Sequence, residues 1–139
     1  MSPEAPVKNA VEVSGAPQPV GPYSQAQVVS LPGGGVMAFT AGQVPLDPAT
    51  GEMKSGSIAE QTEQVMKNIA AVLAGAGLSF ADVVKTTVFL ADMKDFQEMN
   101  QVYGRFFPSS PPARTTVAAA GLPRGARVEI EAVAVGRGR

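Results

Sequence analysis

One helical stripe constrains this chain more than anything else in it. From Ile58, residues of low polarity recur at Thr62, Val65, Met66, Ile69, Val72, Leu73 and Ala76. Steps of three and four put them on one face of a helix. Glu60, Gln61, Glu63, Gln64, Lys67 and Asn68 fall largely on the other face. A helix that is apolar on one side only must cover something, and a sheet is the surface it fits. Both ends are marked. Ser57 and Glu60 have the spacing of a capping box, and Gly77 stands where a helix ends in a left-handed residue.

The rest of the chain supplies the sheet. Val83–Leu90 (VVKTTVFL) is β-branched and aromatic, the composition of a strand. Gln25–Leu31 and Val36–Thr40 form two more, joined as a hairpin by Pro32-Gly33-Gly34-Gly35. Val7–Val13 makes a short edge strand, with Val11 and Val13 on one face, after a loose tail over Met1–Pro6. A second helix is expected over Phe96–Phe107. Asp95 caps it with Glu98 three residues on, Phe96, Met99, Tyr103, Phe106 and Phe107 share a face, and Pro108 stops it. With two strands in the C-terminal run, the order is strand, strand, strand, helix, strand, helix, strand, strand. Residues 1–139 are thus one α+β domain: a mostly antiparallel sheet with two helices on one face. The other face, which includes Val133 and Val135, is left open and is expected to be covered by self-association.

Composition narrows the chemistry. The 139 residues contain no cysteine and no histidine. Thiolate nucleophiles, Ser-His-Asp catalysis and metal sites built on His or Cys are excluded, and no metal site is expected. Net charge is −1 with 17% charged residues, which gives no footprint for nucleic acid. No apolar run approaches the roughly 20 residues of a membrane span, and the N-terminus lacks a signal-type core. The expectation is a cytoplasmic protein.

The chemistry-bearing residues lie in three places. The stretch SGAPQPVGPYSQA, rich in Pro and Gly, cannot be regular structure and carries Tyr23. Ala41-Gly42 follows a strand, where a glycine permits a bulge or close approach of the backbone to a ligand. The run Pro111–Val135 holds Arg114, Glu129 and Glu131. Arg114 and Thr116 share one face of a strand; Glu129, Glu131, Val133 and Val135 share one face of the next. If the loop around Gly121–Gly125 closes an antiparallel hairpin, Arg114 falls roughly opposite Glu129 on one sheet face. The pair is then either a salt bridge or half of an active site.

These segments resemble those of the reactive intermediate deaminase family (Rid, YjgF-like, endoribonuclease L-PSP-like). The matching stretches are Gly21-Pro22-Tyr23-Ser24-Gln25, Thr40-Ala41-Gly42-Gln43-Val44-Pro45, Val84-Lys85-Thr86-Thr87-Val88-Phe89, Asn100 with Tyr103 and Phe106-Phe107, Pro112-Ala113-Arg114, and Val128-Glu129-Ile130-Glu131-Ala132. The resemblance covers nearly everything from Ala16 to Val135. It implies a chorismate-mutase-like (bacillus type) fold assembled as a homotrimer with clefts between subunits. It also implies cofactor-free hydrolysis of 2-imino acids, or enamines such as 2-aminoacrylate, to 2-keto acids and ammonia. By position, Arg114 holds the substrate carboxylate and Glu129 handles the reacting water. Tyr23 closes the cleft from a neighbouring subunit, Gly42 and Thr116 bring backbone groups to the ligand, and Asn100 lines the cleft. Two positions depart from relatives, Thr116 from the cysteine of many and Ala41 from the serine of some; a backbone role at Thr116 survives the change. A different class of function for the same fold is a carboxylate-binding or chaperone-like module without turnover.

Overall fold

The computed structural model describes residues 7–137; the expected tail over Met1–Pro6 and the chain end at 138–139 lie outside them. The strands are β1 (Lys8–Val11), β2 (Ala26–Ser30), β3 (Val36–Thr40), β4 (Val83–Leu90), β5 (Ala113–Ala118) and β6 (Val128–Gly136). The helices are α1 (Ile58–Gly75) and α2 (Phe96–Arg105), with single 3-10 turns at Phe80–Asp82, Met93–Asp95 and Pro123–Gly125. Element order and α+β class are as expected from the sequence. The edge strand is shorter, because Val13 leaves the ladder to donate its N–H to Gln25 Oε1 at 2.7 Å.

α1 owes its limits to its ends. Ser57 Oγ accepts from Glu60 N–H at 3.1 Å, and Glu60 Oε1 accepts from Ser57 N–H at 3.0 Å. At the other end Gly77 takes φ 75°, Gly77 N–H donates to Ala74 O and Leu78 N–H to Leu73 O, both at 2.9 Å. That is a Schellman closure, with Leu78 folded into the core. Ile58, Val65, Met66, Ile69, Val72 and Leu73 are each at most 1% exposed, so truncating one to alanine costs about 2–5 kcal/mol. Two residues expected on the solvent face are buried instead. Asn68 donates to Val44 O and Leu46 O, and Gln61 Oε1 accepts from Arg127 N–H. Both fasten loops to the helix.

The six strands lie in the order β1-β2-β3-β6-β4-β5, antiparallel except for β4–β5. The expected C-terminal hairpin does not form. β5 follows β4 through α2, and a strand–helix–strand crossover returns parallel, so β5 takes the outer edge beside β4. β6, whose Val128, Ile130, Ala132 and Ala134 are at most 3% exposed, takes the centre between β3 and β4. The chain reaches it around the end of β4, where Ala119 N–H donates to Leu90 O and Ala91 N–H to Arg127 O. Both helices cover the face that presents those four residues. The opposite face is open and exposes Phe39, Val117 and Val135.

Asp95 does not cap α2 with its side chain. Its carboxylate is turned inward, 7% exposed, and accepts from Arg127 Nη2 at 2.8 Å and Nε at 3.3 Å. It joins the start of α2 to the start of β6.

Candidate active site

On β6, Glu129 alternates with buried Val128 and Ile130 and stands in register with Phe89, so it projects from the open face. The chain beside it is irregular for a reason. Phe39 pairs with Val133, and the next bridge is Gln43 with Ile130, so β3 gains one residue on β6 and bulges over Thr40–Gly42. Thr40 Oγ1 accepts from Ala132 N–H at 3.0 Å, and Gln43 is pinned to Ile130 by both backbone bonds, at 2.8 and 3.1 Å. The bulge brings Gly42 directly against Glu129. A Cβ on Gly42 would overlap Glu129 Oε2 and stand 3.0 Å from Cδ and 3.1 Å from Cγ. Here the glycine serves close approach, not a positive φ.

Tyr23 closes the same region. Val20, Tyr23, Ala41, Gly42, Val44, Leu46, Pro123, Arg124 and Glu129 line a cavity of about 320 Å³. Tyr23 is half exposed, and its hydroxyl accepts from Val20 N–H at 3.3 Å. Its loop is held by Gln25, only 2% exposed, whose Nε2 donates to Val13 O, Ala16 O and Pro17 O. Gln25 O accepts from Ala41 N–H, so one residue braces both the Tyr23 loop and the bulge. Burial pushes the Glu129 carboxyl above the usual carboxylate range, and the charge of Glu131 adds to the rise. Glu131 shares the face but opens onto a separate depression with Lys85 and Thr87.

Arg114 is elsewhere. It pairs in register with Thr86, a buried residue of the helix-covered face. Its guanidinium carbon lies 4.9 Å from the Tyr103 ring centroid and 5.5 Å from that of Phe96, both on α2. Such stacking fixes the planar group and leaves its N–H edge free for a carboxylate. Tyr103 is held in turn by a 2.7 Å hydrogen bond with Thr86. Burial pushes the Tyr103 hydroxyl pKa up, against the Thr86 bond and the Arg114 charge, so it stays a neutral phenol. Among the described residues no carboxylate lies within ion-pair distance of Arg114. Asn100, between Phe96 and Tyr103 on α2, and Thr116, two along from Arg114, have side-chain oxygens that are buried without a partner.

The six expected site residues therefore form two groups. Tyr23, Gly42 and Glu129 meet on the open side; Arg114 and Thr116 on β5 lie on the helix-covered side, where Arg114 stacks on α2, the helix that carries Asn100. The cross-strand Arg114–Glu129 pair does not exist within one chain. β4 separates their strands, a span of about 10 Å, and their side chains leave opposite faces.

Comparison with known proteins agrees with this architecture. The family model described as Endoribonuclease L-PSP matches residues 5–136. The chain belongs to the endoribonuclease L-PSP (Rid/YjgF) family. Within it, the chain is 52% identical to Protein DfrA of Myxococcus xanthus over 92% of this chain and 95% of that one. It is 42% identical to the human 2-iminobutanoate/2-iminopropanoate deaminase over 93% and 90%. Among solved structures, E. coli TdcF with bound serine superposes with a TM-score of 0.82 at 38% identity, covering 91% of this chain and 98% of that one.

Sequence reasoning on this L-PSP family member missed three contributors. Arg124, not Arg114, is the cation that shares the cavity with Glu129. Asn68 and Gln25 hold the cavity's walls by buried amide contacts. The one signal available for Arg124 was its place in a Gly-Leu-Pro-Arg-Gly loop; a buried amide leaves no periodic trace.

Proposed function

We propose that this chain is a cofactor-independent deaminase that hydrolyses 2-imino acids, and their enamine tautomers such as 2-aminoacrylate, to 2-keto acids and ammonia. The observation that carries the reading is the Arg114 guanidinium, stacked on two rings and without a carboxylate partner among the described residues. It suits the planar carboxylate that every 2-imino acid carries. The names of the human and other mammalian relatives, and the serine bound to TdcF, point to the same ligand class.

The two groups of residues lie on opposite faces, so they act on one substrate only when two copies supply them. We assign Arg114, Asn100 and Thr116 to one wall of an intersubunit cleft, and Tyr23, Gly42 and Glu129 to the other, in a homotrimer packed through the open face. Arg114 fixes the carboxylate and thereby the C=N carbon. Glu129, ionised, takes a proton from the attacking water as its oxygen bonds to that carbon. It then delivers that proton to nitrogen, giving the carbinolamine; the hydroxyl proton next passes through the same carboxylate to the amine as the C–N bond breaks, releasing ammonia and leaving the keto oxygen. A carboxyl raised above its ordinary range is a better base once ionised and can also return the proton.

The test generates 2-aminoacrylate from serine with a dehydratase and follows pyruvate. Wild type should be at least about 10²-fold faster than Arg114→Ala; equal rates would end the proposal. Glu129→Gln should still bind 2-oxobutanoate while losing turnover. Turnover unchanged in Glu129→Gln would deny the carboxylate its role. The family's name suggests RNA cleavage, but a net charge of −1 and the lack of histidine favour the small acid.

A further inference from the structure

The Glu129 cavity contains a charge that the deamination reading leaves idle. Arg124 adopts φ 55° and ψ 29°, a left-handed conformation that side-chain-bearing residues rarely hold. Strain of this kind persists where surrounding structure imposes it, and it clusters at ligand contacts. The guanidinium is held as well: Nη1 donates at 3.3 Å to Gly51 O, from a loop 73 residues away in sequence. No carboxylate among the described residues comes within ion-pair distance of it. Arg124 therefore stands at the cavity's rim, placed and uncompensated. The cavity it shares with Glu129 is also lined by the apolar side chains of Val20, Val44, Leu46 and Pro123.

We infer that Arg124 is a specificity-determining residue that reads the far end of the substrate side chain, and that the preferred substrates are 2-imino acids carrying a second, distal carboxylate. The inference rests on the proposed cleft, in which Arg114 of one copy holds the α-carboxylate against Glu129 of the next. Two cations then flank one reacting centre, in a cavity whose other lining is largely apolar. The matching ligand has an anion at each end and methylenes between them. A monocarboxylic imino acid satisfies Arg114 but leaves Arg124 with only Gly51 O and water.

Calorimetry with keto-acid products tests this without needing turnover. The probes are 2-oxobutanoate and 2-oxoglutarate. Wild type should bind 2-oxoglutarate at least as tightly as 2-oxobutanoate. Arg124→Asn, which tolerates the left-handed backbone, should weaken 2-oxoglutarate at least about fivefold more than 2-oxobutanoate; Arg124→Lys should keep most of the preference. Added salt should erode the 2-oxoglutarate advantage first. An unchanged ratio in Arg124→Asn, an equal loss for both acids, or wild-type binding of 2-oxobutanoate alone would overturn the inference. Arg114→Ala should weaken both acids together. If it weakens neither, the α-carboxylate clamp is wrong, while the Arg124 ratio still decides the distal contact. Failure of wild type to bind either acid overturns both.

Discussion

Replacing Gly42 by alanine isolates the close approach on which the Glu129 wall depends. The backbone at Gly42 is not in the left-handed region, so alanine is sterically allowed there and the change acts through one new atom. That Cβ would overlap the Glu129 carboxylate and crowd its Cδ at 3.0 Å and Cγ at 3.1 Å. The backbone is fixed on one side by the Gln43–Ile130 pair and on the other by the Ala41 N–H to Gln25 O bond, so the Glu129 side chain must move. Leaving its rotamer well costs about 0.5–1.5 kcal/mol, and the lower chain entropy of the unfolded alanine variant returns about 0.4–1. The thermal midpoint should shift by less than about 4 °C. Activity should respond far more, because displacing a catalytic group by about 1 Å costs on the order of 10²-fold. Melting curves and pyruvate formation from 2-aminoacrylate on the same preparation separate the two effects. A Gly42→Ala protein with wild-type stability and activity within threefold of wild type would show that Glu129's position is not what the rate depends on.

Three further outcomes follow from the electrostatics. Because burial and then the charge of Glu131 raise the Glu129 pKa above the usual carboxylate range, the acid limb of kcat/KM should lie above that of an ordinary carboxylate. The folded pKa exceeds the unfolded one, so Glu129's stabilising contribution is full below the unfolded pKa and lost as pH rises through the folded value; Glu129→Gln should remove that loss in melting curves taken across pH. At the α2–β6 junction, Asp95→Ala strands the Arg127 guanidinium, whose side chain is 38% exposed. Chemical denaturation should show a loss of about 1–3 kcal/mol, and no loss would mean the junction holds without the pair.

The parts of the fold legible in the sequence were those written locally. Ser57 with Glu60, the 58–76 stripe, Gly77 and the β-branched 83–90 run each fix an element within a few turns of chain. Alternation in 128–135 assigned faces correctly, since a strand shows its two sides residue by residue. Partnership between strands was not local. Residues 119–127 invited a hairpin, yet nine residues leave room to pass around a neighbouring strand, and the parallel return after α2 decided the matter. Asp95 shows the same limit. Its spacing to Glu98 suits a cap, but Arg127, 32 residues away, offers two charged N–H donors where a helix end offers neutral backbone N–H groups.

The split of the site can be decided by mixing two inactive proteins. Arg114→Ala removes one wall and Glu129→Gln the other. If both residues served the same cleft from one chain, no mixture could restore activity, because every chain would carry a defect. If each cleft takes Arg114 from one copy and Glu129 from its neighbour, a mixed assembly contains clefts in which both contributed walls are intact. For random exchange at equal proportions, the first copy is the right one half the time and so is the second. About one quarter of clefts are then complete in any closed ring, whatever its number of subunits. Reversible dissociation and reassembly of an equal mixture should therefore recover about a quarter of wild-type activity, and unmixed controls none. Recovery should track the exchange of subunits, followed by mass spectrometry of the intact assembly. Complete exchange without recovery would refute the two-copy cleft and leave the opposed faces of Arg114 and Glu129 without a shared substrate.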